Sequence, residues 1–90
     1  MCRSKLEMYI DILKALTDHG PLKSTHLMYK VNINYKVLKD YLAFLTEQGL
    51  IEEKILENNK FAYTITQKGR VIIESFEKLK EMLPITEEFR

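Results

Sequence analysis

The order of signals between Asn34 and Gly69 constrains this chain more than any other feature of it. Asn34-Tyr35-Lys36-Val37-Leu38-Lys39-Asp40-Tyr41-Leu42-Ala43-Phe44-Leu45 carries the periodicity of an amphipathic helix, and Gly49 closes it. Two short apolar runs follow, Leu50 to Leu56 and Phe61 to Ile65, joined through Glu57-Asn58-Asn59-Lys60. Thr66-Gln67-Lys68-Gly69 then opens another helix. A helix, a hairpin and a capped helix in that order leave one helix and one hairpin tip facing outward.

Ninety residues make one domain with a thin core, since a chain this short buries only about 60–65% of its unfolded surface. At 46% apolar and 30% charged, the composition is that of a globular protein and excludes a disordered one. No apolar run approaches the roughly 20 residues of a bilayer span, and the N-terminus lacks a signal-peptide core. The expected location is cytoplasmic, with no membrane partner. A single cysteine, Cys2, permits neither an internal disulfide nor a thiolate metal cage, and it reads as a terminal thiol without a role.

Before the central stretch, Ser4-Lys5-Leu6-Glu7 has the capping-box form. Leu6, Tyr9, Ile10, Leu13 and Leu16 then mark the buried stripe of a first helix to about Asp18, stopped by Gly20-Pro21. Met8 and Ile12 fall off that stripe and suggest a second contact surface, on another helix or on a partner chain. Ser24 to Tyr29 or Lys30 reads as a short second helix capped by Ser24, with Leu27 and Met28 inward. Val31 and Ile33 in the following turn are expected to plug the core. Asn34 caps the third helix, which buries Leu38, Tyr41, Leu42 and Leu45 and turns Tyr35, Lys36, Lys39, Asp40 and Ala43 outward. Ile51, Ile55, Phe61, Tyr63 and Ile65 alternate as half-buried strands should, with turn chemistry at Asn58-Asn59. In the last helix, Ile72, Phe76, Leu79 and Leu83 form an apolar seam at four- and three-residue steps, and Pro84 ends it.

These elements are those of a winged helix-turn-helix, an α+β, mostly helical fold class. Its expected division is a head over residues 1–66, a C-terminal helix over 67–84 packing on the head and on a partner chain, and a tail over 85–90.

Catalytic chemistry finds little support. Gly20, Gly49 and Gly69 are isolated, so no phosphate-binding loop exists. His19 and His26 are separated by a Gly-Pro break and lack metal-ligand spacing. Glu52 and Glu53 point to opposite faces of a strand and cannot pair for acid–base work. The expectation is a protein that is no enzyme and holds neither metal nor cofactor.

Duplex DNA suits the pattern better. Net charge is only +1, but residues 21–48 carry a local balance of +2 through Lys23, Lys30, Lys36 and Lys39, where a helix-turn-helix would sit. A major groove about 12 Å wide admits one helix, N-terminal end deepest. Asn34, Tyr35, Lys36 and Lys39 occupy that end, although Asn34 is better placed as the cap than as a base contact. Lys23, Ser24, Thr25, His26 and Lys30 are donors of the kind that hold backbone phosphates. Asn59 and Lys60 mark the hairpin tip, weakened as a DNA contact by the neighbouring Glu57.

Through Ser4-Lys5-Leu6-Glu7 with Ile12-Leu13, Thr25-His26-Leu27-Met28-Tyr29, Asn32 to Leu42, Gly49-Leu50-Ile51 and Tyr63 to Gly69, the chain resembles the small archaeal winged-helix proteins. That family includes dimeric chromatin-associated DNA-binding proteins and predicted transcriptional regulators. The resemblance implies a homodimer joined through the C-terminal helices and presenting two heads to DNA, with Ile72, Phe76, Leu79, Leu83, Met8 and Ile12 as the interface. The short last helix and the near-neutral charge depart from the chromatin pattern and favour a specific regulator, expected in the cytoplasm and nucleoid-associated. A chromatin protein and a protein–protein interaction module are the rivals, and a ligand pocket lined by Tyr9, Tyr41, Tyr63 and Phe76 is a weaker one than plain core packing.

Overall fold

The computed structural model describes residues 3–83. In chain order these form α1 (Lys5–His19), α2 (Ser24–Val31), α3 (Tyr35–Glu47), β1 (Ile51–Ile55), a 3₁₀ turn at Glu57–Asn59, β2 (Phe61–Ile65) and α4 (Gln67–Met82). The expectations for Cys2, for Pro84 and for the tail from Ile85 lie outside the described residues. Four helices and one two-stranded sheet make the fold the mostly helical α+β class expected.

Helix α1 begins on the predicted capping box. Ser4 Oγ accepts from the Glu7 N–H at 3.1 Å, and the Ser4 N–H donates to Glu7 Oε1 at 3.0 Å. Ile10, Ile12, Leu13 and Leu16 are buried along it. Two readings of this helix need correcting. Ile12 is 0% exposed, so its side chain belongs to the core and offers nothing to a partner chain. The reason is that α1 packs against both α2 and α4, which widens its buried stripe beyond one helix–helix contact. Leu6, expected inward, is 52% exposed in the first turn.

Helix α2 starts one residue earlier than its cap signal implied. Lys23 stands at the N-cap with no side-chain cap bond, and Ser24 is the first helical residue. The helix ends at Asn32, whose φ of 53° lies in the left-handed region that asparagine tolerates. Val31 and Ile33 on either side are buried, as the sequence suggested.

Asn34 caps α3. Its Oδ1 accepts from the Lys36 N–H at 2.8 Å and the Val37 N–H at 3.4 Å, satisfying donors that a helix start leaves orphaned. Leu38, Leu42 and Leu45 are fully buried beneath it, with Tyr41 half-buried at the margin. Tyr9 packs edge-on against Tyr41 with centroids 5.1 Å apart and stacks on Phe44 at 5.0 Å. These rings fill the seam between α1 and α3, which is a packing role.

The antiparallel hairpin pairs Ile51 with Ile65, Glu53 with Tyr63 and Ile55 with Phe61. Asn58 and Asn59 turn it with φ of 64° and 56°. Ile51 and Ile65 are buried at its base, but Ile55 and Phe61 are 69% and 53% exposed. The predicted alternation holds only at the base: further out, the face carrying Ile55 and Phe61 is open to solvent, while Ala62 on the opposite face of β2 is buried. A backbone bridge between Leu22 and Tyr63, closed by N–H to O distances of 3.0 and 2.8 Å, ties the segment before α2 to β2.

Thr66 caps α4: its hydroxyl accepts from the Gly69 N–H at 3.1 Å and donates to the Gly49 carbonyl at 2.7 Å. Lys68 Nζ donates to the Gln48 carbonyl at 2.9 Å. The end of α3 is thereby latched to the start of α4. Gly69 is buried where that latch closes. A Cβ there would collide with the Leu50 carbonyl oxygen and lie 2.6 Å from Ile65 Cγ1. Ile73 is the residue α4 sends into the core, and the expected seam did not include it. Ile72, Leu79 and Leu83 are exposed, and Phe76 is half-buried against the core.

Candidate nucleic-acid interface

The candidate site is the outward side of α3 with its two neighbours, the start of α2 and the base of the wing. Burial of Leu38, Leu42 and Leu45 fixes the rotation of α3 about its axis. Tyr35, Lys36, Lys39, Asp40 and Ala43 are consequently exposed, as expected from the 3.6-residue period. Lys39 Nζ lies 5.8 Å from the centroid of the Tyr35 ring, within cation–π reach, one turn further along the helix. Asn34 Oδ1 is occupied by the cap and contributes helix geometry at this end, so the side chain cannot also offer that oxygen to a base.

Tyr63 joins these parts. Its backbone is bridged to Leu22, one residue before Lys23, and its hydroxyl is raised above the usual tyrosine pKa. Burial is the main cause, followed by the Glu53 carboxylate across the hairpin and by Tyr35. Tyr63 thus keeps its proton and remains a hydrogen-bond donor over the physiological range. The wing base is tied to the segment before α2 by the Leu22–Tyr63 bridge, and β1 packs against α3. Sequence reasoning treated Tyr63 as a strand residue, and its partners, Glu53 across the hairpin and Leu22 before α2, emerge only in the structure.

Around this centre, Thr25, His26 and Lys30 are exposed on α2, while Lys23 and Ser24 are half-buried at its start. Tyr29, which the site expectations left out, is 79% exposed on the same short helix. Asn59 and Lys60 are exposed at the wing tip, flanked by Glu57 and by the apolar Ile55–Phe61 pair. An open cleft of about 440 Å³ lies between α1 and the end of α2, lined by Arg3, Asp11, Lys14, Asp18, His19 and Lys30, so Lys30 borders both it and the candidate interface. Its lining mixes both signs of charge. Among the described residues no group of three or more His, Cys, Asp or Glu side chains has metal-binding geometry, and no helix is long and apolar enough to cross a membrane.

Helix-turn-helix, wing and following helix coincide with a family whose sequence description is winged helix-turn-helix, matched over residues 2–84. The chain belongs to that family.

Two uncharacterized relatives come from the archaeon Methanocaldococcus jannaschii. MJ0290 is 27% identical over 81 residues, covering 90% of this chain and 36% of its own length. MJ0287 is also 27% identical over 81 residues, covering 90% of this chain and 77% of its own length. The winged-helix fold is shared with solved structures of much lower identity. A MarR family transcriptional regulator from Silicibacter pomeroyi superposes with a TM-score of 0.77 at 19% identity, over 82% of this chain and 50% of that one. BpsR of Bordetella bronchiseptica, described by the regulation of its DNA binding by 6-hydroxynicotinic acid, gives 0.77 at 21% identity over 91% and 58%. The chain therefore spans about a third of MJ0290 and half or a little more of these regulators.

Proposed function

We propose that this winged helix-turn-helix protein binds double-stranded DNA without catalysis, as a homodimeric transcriptional regulator. The observation that carries the reading is the exposed N-terminal half of α3. It presents Tyr35, Lys36 and Lys39 on a helix whose rotation is fixed by the core and whose first turn is fixed by the Asn34 cap. Lys36 and Lys39 neutralise phosphate or donate to guanine O6 and N7 in the major groove. Lys23, Ser24, Thr25, His26 and Lys30 on and before α2, with Asn59 and Lys60 on the wing, hold flanking phosphates and set register. Similarity of fold to a MarR family regulator and to BpsR agrees with this use.

The dimer forms through the exposed apolar side of α4 and its C-cap, where Ile72, Leu79 and Leu83 recur at helical spacing with the half-buried Phe76, joined by the partly buried Met8 of α1. Two heads joined in this way would meet half-sites about one helical turn apart, roughly 34 Å. The protein acts at the chromosome in the cytoplasm. Its near-neutral charge suits a specific regulator better than a DNA-coating chromatin protein.

One observation favours a second reading. Ile55 and Phe61 form an exposed cross-strand pair on a wing whose charges are net acidic, as a protein-docking surface would have. Titrating a labelled random duplex with wild type and with Lys36→Ala/Lys39→Ala separates the two. DNA binding weakened by the double substitution supports the first reading. Absence of duplex binding by the wild type at low salt transfers the function to a protein partner.

A further inference from the structure

Arg3 makes the most connected side-chain contact among the described residues, and the DNA-binding reading does not use it. Its Nη1 donates to Asp11 Oδ2 of α1 at 2.6 Å. Its Nη2 donates to the Val31 carbonyl at 2.6 Å and to the Asn32 carbonyl at 3.0 Å. Val31 is the last residue of α2 and Asn32 its left-handed C-cap. Helix C-termini leave carbonyls without partners, and a cation there completes them while opposing the negative end of the dipole. Two residues later Asn34 caps α3. One guanidinium thus spans from α1 to the turn that aims the third helix.

We propose that Arg3 is a positioning residue: by clamping the Val31 and Asn32 carbonyls to Asp11, it fixes the angle at which α3 meets DNA. This rests on the duplex-binding reading above. The planar fork of arginine suits the task, because it sends separate N–H groups to a carboxylate and to two carbonyls at once. Lysine has one nitrogen and cannot hold the same three acceptors in that fixed geometry. Asp11 holds the fork in place and so shares the role. Helix α1 also faces α4 through Lys14 and Glu77, 4.0 Å apart, so the clamp refers the reading helix to the same helix on which α4 rests.

The test compares wild type, Arg3→Ala, Arg3→Lys, Asp11→Ala and the Arg3→Ala/Asp11→Ala pair, by duplex affinity over a salt series and by backbone amide NMR shifts. Expected are a roughly tenfold loss of affinity in Arg3→Ala, partial recovery in Arg3→Lys, and no further loss in the pair. The salt slope stays at the wild-type value because Arg3 touches no phosphate, and amide shifts concentrate at Ile33 to Lys36. A slope reduced by about 0.9 would make Arg3 a direct phosphate contact and overturn the proposal. So would a lowered thermal midpoint with unchanged affinity, or unshifted amides at Ile33 to Lys36. If wild type binds no duplex, the functional reading fails, and the amide shifts alone decide whether Arg3 sets the geometry of the turn.

Discussion

Single residues decide where the helices of this domain start and how closely they approach. Ser4, Asn34 and Thr66 were legible as caps because a cap is a local device: a short polar side chain reaches N–H groups two or three residues on. Ser24 misled because the same residue type also fits the first helical turn, and the choice was made by the Leu22–Tyr63 bridge, which fixes the chain just before it. Asn34→Ala should cost about 1 kcal/mol, and for a domain of this size lower the thermal midpoint by about 4–8 °C in a calorimetric scan. Gly69→Ala would gain helix propensity on an exposed surface, but here its Cβ meets the Leu50 carbonyl oxygen and the Ile65 side chain. A net destabilisation of about 1–3 kcal/mol is expected in urea titration. Tyr63 gives a pH test with a definite sign. Its raised pKa means the folded protein keeps a proton that the unfolded chain releases as pH rises past about 10. Stability from this group is complete below that pH and is lost as pH climbs toward the folded value. The wild-type urea midpoint should therefore fall more steeply than that of Tyr63→Phe between pH 9 and 11, and parallel curves would contradict it.

Elements were legible wherever one period covered one packing contact. The outward face of α3 followed from its buried leucines and needed no tertiary knowledge. Ile12 was legible as a second contact but not as core rather than partner surface, and Ile73 did not follow at all, because α1 packs against both α2 and α4 and that layering is a long-range fact. The wing failed in the opposite direction. Alternation at Ile55 and Phe61 imitates a half-buried strand, and the outer half is half-buried, but through Ala62 on the opposite face. Replacing both by threonine should leave the thermal midpoint within a few degrees, since exposed positions away from caps and cores usually change stability by under about 0.5 kcal/mol. A large loss would mean that the pair is covered in the folded protein. If duplex binding also survives, the wing contributes little to DNA affinity.

At the scale of the whole molecule, the fold class and the solvent-facing side of α3 were readable from one sequence, because they depend on the order and rotation of elements. Assembly was not, because the α4 seam is short and exposed apolar residues do not specify register. The proposed dimer predicts that Ile72→Glu/Leu79→Glu sediments as a monomer at concentrations where wild type is a dimer, with helical content unchanged. A wild-type monomer throughout would remove the two-headed arrangement while leaving the α3 reading intact. The most direct test of the central claim is fluorescence anisotropy of a labelled duplex across a salt series, with the protein held at dimeric concentration. Six to eight phosphate contacts per dimer predict that log affinity falls against log salt with a slope of about −5 to −7. Binding that is absent at low salt, or that does not change with salt, would contradict the assignment of α3, α2 and the wing to DNA.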